Sequence, residues 1–181
     1  MNGFLKIAGD YTRWNVYRKS VIICDVTEMF ISRALTPPNR TIDQMRQAAR
    51  SCKQNIVEGI SDGTVSVEMC IRLIGVARGS VRELLEDYAD YLRQHDLEIW
   101  AYDDARTAAT REYCRRHDDP REFVAKCRER SDATVANIML TQIRQIDAML
   151  AKVIKKIETE FIKEGGIKEA MSAARRRQRG Y

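Results

Sequence analysis

Apolar residues recur along almost the whole chain at intervals of three and four, the spacing that lines one face of an α-helix, and no stretch alternates as a strand would. The first such pattern spans about residues 11–35. It carries two strips, Trp14, Tyr17, Val21 and Cys24 on one side and Val16, Ile23, Val26 and Phe30 on the other, so this helix should bury two faces. It should end before Thr36-Pro37-Pro38-Asn39, because proline lacks an amide donor and restricts the residue before it. Thr41 and Gln44 have capping-box spacing and place the next start at Thr41. That second helix carries Met45, Ala48, Ala49, Cys52, Ile56 and Ile60 on one stripe and should stop near Gly59–Gly63. The small residues in the middle of the stripe predict close approach of a neighbouring helix.

A third helix, about 66–95, has Leu73, Ala77, Val81, Leu84, Tyr88 and Tyr91 on one stripe. Ile71, Ile74, Val76 and Leu85 widen its apolar surface beyond the needs of one bundle interior, which predicts a subunit interface. Gly75 and Gly79 would each cost about 1 kcal/mol relative to alanine in a helix, so a close helix crossing is expected there. Between Asp96 and Arg130 the pattern weakens into two short helices, 103–117 and 120–130, with Asp119 as cap and Pro120 at the first helical position. This reads as an inserted helical hairpin, about 96–131. A near-heptad seam of Met139, Ile143, Ile146, Leu150, Val153, Ile157 and Phe161 then predicts a long last helix over 132–163, ended by Gly165-Gly166. The fold expectation is all-α: an up-down four-helix bundle over residues 1–164, with the hairpin before its last helix and a basic C-terminal extension over 165–181.

Composition narrows the class. The chain has 181 residues, 44% hydrophobic and 31% charged, enough for one domain with a core. The N-terminal segment is broken by Lys6 and Gly9, and no run approaches about 18 uncharged apolar residues. A cytoplasmic location and no membrane are the expectation, and five scattered cysteines fit reduced thiols better than a disulfide framework. Much of the net charge of +5 sits in the tail, where Lys168, Arg175, Arg176, Arg177 and Arg179 face Glu169 alone. Such a tail reads as phosphate-binding or simply solubilising.

The helices in the middle of the chain carry a resemblance. Ala48-Ala49-Arg50-Ser51, Asn55-Ile56 and Glu58-Gly59, followed by Leu73, Ala77-Arg78-Gly79-Ser80 and Glu83-Leu84, resemble the four-helix-bundle proteins of the 23S ribosomal RNA intervening-sequence family. That family is similar in turn to the accessory variability proteins that assist reverse transcriptases of diversity-generating retroelements. The resemblance covers the second and third helices well, the first and last by pattern only, and neither the hairpin nor the tail. It implies a homo-oligomeric ring, typically a pentamer, whose basic surface meets RNA or DNA or a reverse transcriptase.

Candidate chemistry is sparse. Arg46, Arg50 and Lys53 line one face of the second helix, either a phosphate-binding face or an ordinary solvated one. Asn55, Glu58, Ser80 and Glu83 read as structural polar contacts across the second and third helices, with Arg78 or Arg82 as partner to a carboxylate. Cys114 and His117 have the spacing of a metal-site start, but a zinc site needs about four ligands and only Cys127 and His95 or an aspartate could complete it. Two histidines give no acid–base or nucleophilic constellation, and with no strand there is no phosphate loop. Trp14, Tyr88 and Tyr91 are better read as core or interface residues than as base-stacking ones. A non-enzymatic, cofactor-free nucleic-acid-binding accessory factor is therefore the expectation, with Arg46, Arg50 and Lys53 as the fixed surface and Arg175, Arg176, Arg177 and Arg179 extending it. A protein-interaction scaffold without a nucleic-acid role is the alternative.

Overall fold

The computed structural model describes residues 11–62 and 67–163, together with Arg176. After a single 3-10 turn at Tyr11–Arg13, six helices follow: α1 (Asn15–Ala34), α2 (Arg40–Asp62), α3 (Val67–Gln94), α4 (Ala105–Arg116), α5 (Pro120–Arg128) and α6 (Asp132–Lys163). No strand occurs among the described residues, so the fold is all-α as the periodicity predicts. The expected tail, 165–181, lies outside the described residues except for Arg176.

Each helix end has a local cause. Asn39, not Thr41, caps α2: its side-chain oxygen accepts from the Thr41 amide at 2.9 Å, and Thr41 already lies inside the helix. Aspartates cap the hairpin helices, Asp104 accepting from the Arg106 amide at 2.7 Å and Asp119 from the Arg121 and Glu122 amides at 2.9 and 3.0 Å. Pro120 occupies the first turn of α5, where its missing N–H costs nothing. At the end of α3, Asp96 takes a left-handed conformation (φ 53°), and the Leu97 amide reaches back to the Leu92 carbonyl at 2.8 Å.

The four long helices enclose the core, with α1 against α2, α2 against α3, and α6 against both α3 and α1. Ile22, Ile23, Phe30, Met45, Cys52, Ile56, Ala77, Leu84, Tyr88, Met139, Ile146 and Leu150 are buried in it. The hairpin joins the same interior: α5 lies on α1 and α4 on α6, and Cys114, Phe123 and Cys127 belong to the core cluster. All five cysteines are free, one on each of α1 to α5. Burial pushes the Cys24 and Cys127 thiols up to about 11 and that of Cys114 up to about 12, and it raises those of Cys52 and Cys70 as well.

Two features of packing depart from the sequence expectation. The close approach of α2 and α3 falls on Gly59: a Cβ there would stand 3.2 Å from Ile74 Cδ1 and 3.3 Å from Leu73 Cβ. Among the described residues no helix crosses at Gly75 and Gly79, and none lies within 4 Å of an added Cβ. Both glycines sit on the exposed side of α3 beside Val76, which is 46% exposed, while Ile74 turns into the core.

The core also contains polar groups. Lys19 is 1% exposed, and its ammonium donates to the carbonyls of Cys114 and His117, the latter at 3.0 Å, so a side chain of α1 closes the C-terminal end of α4. Gln142 on α6 is fully buried with neither amide atom partnered, which costs stability because desolvation of the group is not offset.

Candidate nucleic-acid interface

The face of α2 chosen from the sequence is electrostatically mixed. Arg46 is held by both oxygens of Glu28 on α1, at 2.9 and 3.0 Å, and approaches Asp43 at 3.3 Å. The guanidinium hydrogen bonds keep the Glu28 carboxyl below the usual range. Arg50 is exposed at a small cleft shared with Cys24, Asp25 and Glu28, and Lys53 is half-buried. Burial raises Asp25 above the ordinary carboxylate value, and the nearby Lys53 charge opposes that shift. Three carboxylates thus stand among these three cations, because α1 presents Asp25 and Glu28 alongside them.

The four polar residues expected between α2 and α3 divide into two pairs. Ser80 is buried and meets the Ser51 hydroxyl at 2.8 Å, and the Asn55 amide donates to Ser51 O at 2.8 Å and Ser51 Oγ at 3.2 Å. Ser51 is therefore the residue that links the two. Glu58 and Glu83 are exposed and do not engage the arginines of α3. Arg78 and Arg82 point the other way, to Asp147 on α6, with closest distances of 2.8 and 3.1 Å. Burial alone would raise the Asp147 carboxyl, but the two guanidinium hydrogen bonds outweigh it and hold it below its ordinary value.

A more coherent cationic surface lies on α6, where the sequence reading saw only a hydrophobic seam. Arg144, Lys152, Lys155 and Lys156 are exposed and share one side of the helix, since separations of three, four, eight and eleven residues return to the same face. Ala148 between them and Thr159 beyond them are both uncharged, and Glu158 and Glu160 border the strip. Lys156 approaches Glu160 loosely at 3.8 Å, both side chains well exposed. Across a shallow groove, α4 adds Arg111 and Arg115, with Gln145 bridging the helices by donating to Arg111 O at 2.8 Å. Arg115 and Arg116 share one carboxylate, Glu112, so the α4 side keeps a positive excess. The signal was present in the spacing of 144, 152, 155 and 156, but the stronger apolar period of the same helix masked it.

The suggested metal residues are dispersed. Cys114 and Cys127 are core side chains, His117 stacks on Tyr113 with ring centroids 4.0 Å apart, and His95 lies 4.4 Å from the Tyr91 ring. Among the described residues no three His, Cys, Asp or Glu side chains gather as a metal site would require. Tyr88 is fully buried and Trp14 and Tyr91 are packed against the core, in keeping with their expected place as core or interface residues. Arg176 is exposed, whereas Arg175, Arg177 and Arg179 lie outside the described residues. Among the described residues no helix is long and apolar enough to cross a membrane. Comparison with known proteins returned no matching family model, no matching curated protein and no matching solved structure.

Proposed function

We propose that this protein acts by binding rather than by catalysis, and that its partner is the phosphate backbone of RNA or DNA. The observation that carries the reading is the cationic strip of Arg144, Lys152, Lys155 and Lys156, continued across the groove by Arg111 and Arg115. Cations spaced along a rigid helix suit a regularly charged strand, which they hold without reading its bases. The arginines at 175, 176, 177 and 179 follow α6 in the chain and add to the same charge.

Replacing Lys152, Lys155 and Lys156 together with glutamate is expected to weaken binding of a single-stranded oligonucleotide about tenfold or more at low salt. The wild-type affinity should fall with salt at a logarithmic slope of about −3, the value for four or so displaced counterions. Fluorescence anisotropy across a salt series measures both. Reversal of Arg46, Arg50 and Lys53 is expected to do less, because carboxylates already surround those residues. Unchanged affinity in the α6 variant would sink the reading.

The resemblance of α2 and α3 supplies the rest of the proposal: a homo-oligomer, a pentamer in the family resembled, acting as an accessory factor to a reverse transcriptase. The exposed Gly75, Val76 and Gly79 side of α3 supports an assembly, since a second chain approaching there would offset the cost of two helical glycines. Gly79→Arg is then expected to lower the assembly mass measured by light scattering while leaving the helical signal unchanged. An assembly mass unaffected by it would place the contact elsewhere. The scaffold reading draws on Ile99 and Tyr102, 44% and 74% exposed in the segment that leads into the hairpin. Under it, neither the wild-type chain nor the α6 variant binds the oligonucleotide.

A further inference from the structure

Between α4, α5 and α6 lies a cavity of about 420 Å³, in the size range of small-molecule sites and apart from the cationic strip of α6. Three aromatic residues line it: Trp100, Tyr113 and Phe123. The backbone at Trp100 is fixed rather than loose. Its amide donates to Asn137 Oδ1 at 2.8 Å, and the same buried side chain donates to Glu98 O at 2.8 Å. Lys126 and Arg130 of the α5 end are the other lining residues that matter.

Their charges differ in availability from the third cation present, Arg106. Arg106 is saturated by Glu98 at 2.6 Å and Asp104 at 2.6 Å while covering the Trp100 ring at 4.9 Å. Lys126 sits over the Tyr113 ring at 4.4 Å, with Glu122 no nearer than 3.9 Å, and exposed Arg130 has no carboxylate within bridging distance among the described residues. The Tyr113 hydroxyl is buried without a hydrogen-bond partner. A purely apolar ligand would leave that hydroxyl unpartnered and displace water from the two exposed cations without replacing it, and an aliphatic anion would leave the aromatic walls unused. With His117 and Lys126 on Tyr113 and Arg106 over Trp100, a planar ring bearing an anionic group meets these aromatic residues at their edges and the two cations at its anion.

We infer that this cavity binds a nucleotide, its base against Trp100 and the edge of Tyr113, above the buried Phe123, and its phosphate at Lys126 and Arg130. The nucleotide is either free or an unpaired residue of a single strand, since aromatic contact and phosphate charge are common to both. The inference does not depend on the α6 strip, which shares no residue with the cavity.

Calorimetric titration of the full chain with adenosine monophosphate, adenosine, inorganic phosphate and a single-stranded oligoadenylate tests it. Adenosine monophosphate, the oligoadenylate or both should bind, with Arg130→Glu weakening that binding tenfold or more. Adenosine and phosphate alone should each bind at least tenfold more weakly than the nucleotide. Tyr113→Phe, which removes one oxygen and keeps the ring, should reduce affinity severalfold without lowering the melting temperature. Tighter binding of the monophosphate identifies a free nucleotide, and tighter binding of the oligonucleotide a strand. Affinity indifferent to both substitutions, or phosphate binding as tightly as the nucleotide, overturns the assignment. Strand binding lost only in the Lys152, Lys155 and Lys156 variant, with no monophosphate binding, overturns the cavity and leaves the α6 reading standing. Monophosphate binding that survives that variant, while strand binding ignores it, supports the cavity and removes the α6 reading.

Discussion

Phe30→Ala is expected to cost about 3–5 kcal/mol, the usual toll for deleting a fully buried aromatic ring. The ring is completely buried on α1 and lies 4.9 Å, centroid to centroid, from both Tyr88 and Tyr91 of α3. Truncation would remove those aromatic contacts and leave a void between two long helices that cannot collapse independently. It would also free the neighbourhood of the Thr27–Tyr88 hydrogen bond, 3.1 Å long and buried between the same helices. Domains of this size are stable by roughly 5–15 kcal/mol, so much of the margin would go. Urea titration followed by circular dichroism should show a large fall in midpoint. A loss below about 1 kcal/mol would mean that α1 and α3 repack readily there.

Lys19→Met is expected to act more locally. The substitution keeps most of the apolar stem but leaves the Cys114 and His117 carbonyls without their donor, an expected cost of about 1–3 kcal/mol partly offset by relief of the buried charge. Because those carbonyls close α4, amide hydrogen exchange should quicken in α4 and α5 and change little in α2 and α3. The pH dependence gives a second readout. Burial pushes the Lys19 ammonium below its ordinary 10.5, with Cys114 and Asp118 opposing. Above the lowered value the folded chain has shed a proton that the unfolded chain still holds. Stability from this group therefore rises with pH through that window and levels off near 10.5. The methionine variant should lose this rise, seen as a wild-type-minus-variant difference that changes between neutral and alkaline pH. An unchanged difference would indicate that Lys19 titrates alike in the folded and unfolded chain.

The elements were legible because their information is local. The two apolar strips of α1, the Pro37-Pro38 stop, Asp119 with Pro120, and the seam of α6 each declare a helix or its end without help from the rest of the chain. The cap of α2 was misplaced by two residues because Asn39 and Thr41 both have capping side chains, and only the backbone path decides which is outside the helix. Gly75 and Gly79 misled for a related reason: a glycine pair announces that backbone could come close, not that it does. The contact went to Gly59, whose place in a presumed helix end hid it.

The site was less legible because it depends on what neighbouring helices bring. Arg46 on its own stripe is an unopposed cation, and only the packing of α1 against α2 supplies Glu28. Trp100, in a stretch without periodicity, gave no signal until Asn137 of α6 was seen to hold it. Lys19 lies between the two apolar strips of α1 with nothing local to mark it as buried, and α4, about ninety residues later, is what buries it.

The distribution of cysteines gives the molecule an internal set of reporters. Burial raises all five thiols, to about 11–12 for Cys24, Cys114 and Cys127, so thiolate is scarce at neutral pH, and for the buried Cys52, Cys70, Cys114 and Cys127 alkylation of the native state must wait for a helix to lift away. Since α2, α3, α4 and α5 each hold one such buried group, the order in which Cys52, Cys70, Cys114 and Cys127 are labelled is the order in which those four helices open, while the half-buried Cys24 of α1 reports its cleft. The chain thus records its own breathing, helix by helix, with no probe added by mutation.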